Sequence, residues 1–271
     1  MLSNIKELRL TALKLGRKAN NKGAHFGSSM GAIEIFASLF GKVLHKEPGK
    51  TGIEQDVLIV GKGHCVLAYY AALEQFGYIS KEQLDTYDED GSMLQGHPMM
   101  NDKIGIDFSS GSLGMALSQG VGVAISRKKL NVSSHVFVLL GDGECNEGAV
   151  WEAAMAAAHY KLNNLTVIID RNHLQYDGNT ESVMALGDFE KKWESFGFIV
   201  YDINGNDIDQ LVPTLEECRG NKKHAPCCVI ANTVKGKGIS FMENKREWHH
   251  KVITEEEYLQ AVKEVEEDYG N

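Results

Sequence analysis

Residues 135–178 read HVFVLLGDGECNEGAVWEAAMAAAHYKLNNLTVIIDRNHLQYDG, and they decide the fold. The run 136–140 is apolar, β-prone and short. It ends on glycine, as a parallel strand buried on both faces does. Gly141-Asp142-Gly143 then turns the chain, with glycine supplying backbone conformations closed to other residues. Residues 148–160 are alanine-rich and predict a helix with Trp151, Ala154, Met155 and Ala158 on one face. A second apolar strand is predicted over 165–169. The unit is βαβ. Its strands finish on polar residues, Asp142 and Asp170-Arg171-Asn172, at the carboxyl ends where open α/β sheets bind ligands.

Thirty positions separate Asp142 from Asn172. That is about one βαβ crossover, so the two side chains are expected on neighbouring strand ends. Asp142 is a hard anionic oxygen donor and Asn172 a neutral one. With a backbone carbonyl and two phosphate oxygens they would complete an octahedral Mg²⁺ shell.

Composition limits the alternatives. The chain of 271 residues is long enough for one large α/β domain with a substantial core, and its hydrophobic content of 43% is that of a globular protein. A net charge of −9 argues against a nucleic-acid binder, which needs a basic face. No run approaches the roughly 18–20 apolar residues of a membrane span. The amphipathic N-terminus lacks a signal-peptide cleavage site, so a cytoplasmic protein is expected. The cysteines, at 65, 145, 218, 227 and 228, are scattered and odd in number, which suits reduced thiols rather than a disulfide frame or a zinc site. No repeat, low-complexity tract or linker interrupts residues 1–271, which are taken as a single domain.

Outward from the central unit, residues 4–20 predict a helix with Ile5, Leu8, Ala12, Leu15 and Ala19 at helical spacing. Residues 21–31 are predicted as a small-residue loop carrying His25, with a helix over 32–44. A strand at 57–60 is followed by Gly61-Lys62-Gly63-His64 and a helix over 65–76. His97 lies in the turn Gly96-His97-Pro98, where proline restrains the backbone. Ser109-Ser110-Gly111-Ser112-Leu113-Gly114-Met115 is predicted to open a helix running to 129; such a turn presents backbone N–H groups to an anion. A helix over 188–196, a strand at 198–201, a helix capped by Asp207 and a last strand at 227–231 follow. Lys235-Gly236-Lys237-Gly238 lacks Walker spacing and is read as a mobile active-site loop. Trp248-His249-His250 and a helix over 255–267 end the chain.

GDG followed by Asn172 resembles the thiamine diphosphate motif. The longer GDGECNEGAVWEAAMAAAHYKLNNL is similar specifically to the transketolase family, as are GKGHCVLAYYAALEQFGY and the KGKG–FMEN run. The chain has Ala24 and Phe26 where the family's loop usually has Gly and Pro, and Ser112 where proline is usual. The resemblance implies an α/β thiamine diphosphate-binding fold, with a mostly parallel central sheet and helices on both faces. It implies Mg²⁺, with Ca²⁺ or Mn²⁺ as substitutes, held by Asp142, Asn172 and the carbonyl of Leu174. The implied cofactor contacts are His64, Gly111, Leu113, Gly114, Gly141, Asp142, Gly143 and Asn172. His25, His64, His97 and His249 would position and protonate substrate oxygens, with His250 one register away from His249. The reaction would transfer a two-carbon glycolaldehyde unit from a ketose phosphate to an aldose.

Transketolases are usually more than twice this length, and their second half carries the pyrimidine-binding domain with its activating glutamate. A split enzyme is therefore expected. This chain would be the diphosphate-binding subunit, with a separate C-terminal subunit as its partner and self-association giving two copies of each. Glu147 matches a family residue that pairs with the activating glutamate. Three other readings stay open: a split 2-oxo acid dehydrogenase-type enzyme, a deoxyxylulose phosphate synthase fragment and a non-catalytic thiamine diphosphate-binding protein.

Overall fold

The structure is a computed structural model that describes residues 5–269. Residue 4, the expected start of the first helix, and residues 1–3, 270 and 271 of the expected domain lie outside the described residues.

Seven strands are labelled in chain order: β1 (Val57–Val60), β2 (Val136–Gly141), β3 (Leu165–Arg171), β4 (Leu174–Gln175), β5 (Gly178–Asn179), β6 (Ile199–Asn204) and β7 (Cys227–Asn232). Five form one sheet in the order β1-β2-β3-β7-β6, every pair parallel. β4 and β5 form a separate antiparallel hairpin. The α/β class and the mostly parallel sheet are as expected from the sequence.

Why the strand sequences are apolar throughout follows from what covers them. Along β2, Phe137 and Leu139 pack with helices Ile5–Lys18, Phe26–Gly31, Ile33–Ser38, Val66–Gln75 and Ile208–Arg219. Val136, Val138 and Leu140 alternate with them and pack with helices Ala116–Lys129, Gly148–His159 and Phe189–Ser195. With a period of two, the sheet's two faces each bury every second side chain. The register pairs Gly141 with Asp170 and Arg171 with Asn232, which aligns the polar strand ends along one edge.

Two expectations are corrected. On helix Gly148–His159 the buried stripe is Val150, Ala153, Ala154 and Ala157, while Met155 is 55% exposed. The residues expected as a loop before 32 include a helical turn, Phe26–Gly31. Its small residues are there for packing: a side chain on Gly27 would meet the Trp248 carbonyl oxygen at 3.0 Å, and one on Gly31 the Val234 oxygen at 3.0 Å. The turn expected over 109–115 does lead into a helix, Ala116–Lys129. Gly111 at φ +137° and Gly114 at φ +86° hold the preceding turn in conformations that side chains resist.

Candidate active site

A cleft of about 480 Å³ opens at the carboxyl ends of the strands. The register brings Asp142, at the end of β2, beside Asp170 and Asn172, at the end of β3. Asp142 accepts hydrogen bonds from the N–H of Gly143 (2.8 Å) and His173 (2.7 Å) and from the Thr180 hydroxyl (3.3 Å). It makes no ion pair among the described residues. Burial, then the charge of Asp170, raises its carboxyl above the ordinary range.

The cleft floor carries two lysines that sequence reading left without a role. Lys62 pairs with Asp170, both side chains being 1% exposed. Burial pulls its ammonium down, but Asp170's charge and hydrogen bond more than offset this and leave it above its ordinary value. Asp170 also accepts from Asn172 Nδ2 at 3.2 Å and from the Thr233 hydroxyl. Lys235 donates to the Leu174 carbonyl at 2.9 Å and lies 2.9 Å from His249 Nδ1. Burial and nearby Lys62 pull its pKa down to about 8. The segment read as a mobile loop is a series of turns pinned by the Gly236 N–H to the Gly27 carbonyl (2.8 Å) and by the Asn244 N–H to the Lys235 carbonyl (2.9 Å).

The histidines converge from segments far apart in sequence. His25 lies 5.5 Å from His64, 6.1 Å from His97 and 5.4 Å from His249, between ring centroids. His64 and His249 stack at 5.2 Å, and Tyr176 meets His249 edge-on at 5.4 Å. A bridge between Ala24 and Lys251 fastens the two loops that bear His25 and His249. His249 lines the cleft, whereas His250 is exposed, with its ring 4.6 Å from that of His25. Burial pushes His25 and His249 down to about 3, with neighbouring cationic groups adding to the effect. His64 is also well below its ordinary value, and His97 is lowered by partial burial. All four rings are thus neutral at pH 7, each able to donate from one nitrogen and accept at the other.

Gly111, Leu113, Gly141 and Gly143 line the same cleft, as do Asn172, Leu174 and Glu147. Gly114 does not line it directly. Its N–H is held by Glu144 Oε1 at 2.9 Å, and the Gly141 N–H by Glu144 Oε2 at 3.1 Å. Burial raises Glu144 to about 7. Glu147 is exposed at the rim, where its Cβ would lie 2.7 Å from a side chain at Gly114.

The donor set fits a divalent cation together with a diphosphate. Asp142 is a buried carboxylate bonded only to neutral donors, with Asn172 and Leu174 oxygens beside it. Gln175 Nε2, in the cleft wall, and Ser110 Oγ, beside Gly63, are buried without a hydrogen-bond partner, as sites awaiting an acceptor are. Among the described residues no group of three or more His, Cys, Asp or Glu is arranged to hold a metal alone. A cation here would therefore need oxygens from its ligand. No helix among the described residues is long and apolar enough to cross a membrane.

Known proteins resemble both the sequence and the fold. Residues 3–270 match the family described as transketolase, thiamine diphosphate binding domain. An apulose-4-phosphate transketolase subunit from Actinobacillus succinogenes is 43% identical over 247 residues, 91% of this chain and 89% of that protein. A 6-deoxy-6-sulfo-D-fructose transketolase subunit from a Clostridium species is 38% identical, covering 90% of this chain and 89% of its own length. Transketolase from Leishmania mexicana superposes with a TM-score of 0.87 at 25% identity, over 98% of this chain but 41% of that one. The chain thus spans about two fifths of that full-length transketolase and nearly all of each of the two bacterial subunits. It belongs to the transketolase family, as a thiamine diphosphate-binding, N-terminal-type chain.

Proposed function

We propose that this chain is the diphosphate-binding subunit of a two-subunit transketolase, a transferase moving a two-carbon glycolaldehyde unit from a ketose phosphate to an aldose. The observation that carries the proposal is the convergence of His25, His64, His97 and His249 over Asp142 and Asn172 in one cleft. A cofactor-binding protein without catalysis has use for the anion-holding residues. It has none for four neutral imidazoles ranged above them, which suit a polyhydroxylated substrate better than a keto acid.

When bound, thiamine diphosphate supplies the nucleophilic carbon that cleaves and reforms the ketose C–C bond. Asp142 and Asn172, with the Leu174 carbonyl that Lys235 also contacts, would hold Mg²⁺, which would serve as a template for the diphosphate. Lys62 and Lys235 lower the negative charge at the floor. His25, His64, His97 and His249 donate to substrate hydroxyls or accept their protons. Glu147, exposed at the rim, faces the subunit that completes the site. That partner supplies the pyrimidine-binding domain and its activating glutamate, in an assembly with two copies of each chain in the cytoplasm. The names of the two bacterial relatives, both given as subunits, support a partner. Their printed names, for apulose-4-phosphate and 6-deoxy-6-sulfo-D-fructose transketolases, support a donor outside the common pentose phosphates.

The test is glycolaldehyde transfer with thiamine diphosphate and Mg²⁺, from xylulose 5-phosphate to ribose 5-phosphate and then with apulose 4-phosphate as the donor. Activity that requires a co-expressed C-terminal subunit is the expected result. Activity of this chain alone refutes the two-subunit reading. Absence of transfer from every donor, with the partner bound and thiamine diphosphate held, refutes the catalytic one.

A further inference from the structure

Glu144 is the buried carboxylate of the cleft to which neither an ion pair nor a metal role falls. It sits in the short turn Gly143–Asn146 after β2 and is 3% exposed. Its two oxygens are divided between two separate pieces of chain: Oε1 accepts from the Gly114 N–H at 2.9 Å, and Oε2 from the Gly141 N–H at 3.1 Å. A third piece crowds the same group, since a side chain on Gly61 would stand 2.6 Å from Oε1. Each piece leads directly into residues that line the cleft. Gly61 precedes Lys62 and His64, Gly114 follows Gly111 and Leu113, and Gly141 precedes Asp142.

We propose that Glu144 is a positioning residue: its bridging carboxylate fixes the 109–115 turn against the ends of β1 and β2 and so sets the shape of the diphosphate cradle. The identity of that ligand rests on the thiamine diphosphate reading given above. The physical reason for a carboxylate is that it alone accepts two N–H bonds on two oxygens while donating nothing. The Gly114 N–H is thus occupied by Glu144, and Gly111 and Leu113 are the residues of the turn left to line the cleft. At φ +86° Gly114 is left-handed, a conformation that Glu144 fastens.

Glu144→Gln keeps the volume but replaces one acceptor with an NH₂ group facing a backbone N–H. Two measurements test the proposal: titration calorimetry of thiamine diphosphate, with Mg²⁺ present, into this chain complexed with its C-terminal subunit, and amide hydrogen exchange at Gly114 in the ligand-free protein. The expected result is a loss of affinity of about 10- to 100-fold, as for other residues that orient ligand-holding groups, together with faster exchange at Gly114. A merely structural role would lower the melting temperature and leave the affinity of the folded protein unchanged. Affinity within twofold of wild type, or unchanged exchange at Gly114, overturns the proposal. Should Glu144→Gln not fold, Glu144→Asp retains the charge but reaches only one N–H, and the same two readouts apply. If the wild-type complex does not bind thiamine diphosphate, the cofactor reading fails by itself, and exchange at Gly114 still decides whether Glu144 holds the turn.

Discussion

Replacing Lys62 with methionine would leave Asp170 as a buried carboxylate without its cation. Both side chains are 1% exposed, so water cannot take over the ammonium's place. Asp170 would retain Asn172 Nδ2 and the Thr233 hydroxyl, which are neutral donors. Breaking a buried pair from one side typically destabilises by about 3–5 kcal/mol, because the surviving charge stays desolvated. In a chain of this size each kcal/mol corresponds to about 2–4 °C, so the melting temperature should fall by about 6–20 °C. Adding Asp170→Asn, which removes the stranded charge and keeps an oxygen for Thr233, should return at least half of the loss. Urea unfolding measures both effects, the deficit of the single variant and its recovery in the double variant. A Lys62→Met deficit under about 1 kcal/mol, or a double variant less stable than the single, would refute the reasoning about the buried pair.

Other outcomes follow from the same geometry. His25 and His249, held near 3, and His64, also lowered, bind fewer protons folded than unfolded below pH 6.5. Their contribution to stability is complete above about 6.5 and declines as pH falls toward 3, and His25→Gln should flatten that decline in urea midpoints. Lys235→Met removes the cation 2.9 Å from His249 Nδ1, so the His249 pKa should rise in an NMR titration. Asp142→Asn should weaken Mg²⁺-dependent thiamine diphosphate binding by at least ~10-fold in calorimetry. Its amide oxygen can still accept from a backbone N–H, so the variant should remain folded. Gly120→Ala puts a methyl group 2.5 Å from Val138 Cγ2, where helix Ala116–Lys129 crosses the sheet, and overpacking of this kind destabilises by about 1–3 kcal/mol.

The legible parts of the sequence are those in which one local pattern has one physical cause. β1 is the strand expected at 57–60, and β2, β3, β6 and β7 lie within three residues of their expected bounds. For β1, β2, β3 and β7 the reason is burial on both faces, which writes a strand as an apolar run, whereas β6 is a half-exposed edge strand. The motif's Asp142 and Asn172 lie at neighbouring strand ends because a crossover of that length makes them neighbours. Where several causes produce the same letters, reading failed. Gly27 and Gly31 looked like loop residues, yet they are small because a helical turn packs directly on the backbone of 248 and 234. Met155 has the spacing of a core residue, but the helix turns it outward.

The lysines and Glu144 illustrate a different difficulty. A lysine beside glycine is ordinarily a solvated charge, and nothing within GKGH or KGKG tells that Lys62 and Lys235 are each 1% exposed. Their partners lie far away in sequence: Asp170 is 108 positions from Lys62, and Leu174 is 61 from Lys235. Only the parallel register of β1, β2, β3 and β7 brings these groups to one edge, so their chemistry becomes visible after the topology is known. The histidines could be found earlier because imidazole beside glycine on a strand-end loop has few purely structural uses, whereas a carboxylate after GDG reads as an ordinary helix-start charge. In this fold the groups proposed to touch ligand are thus easier to read than those that hold them in place, since the latter are defined by pairings rather than by residue type.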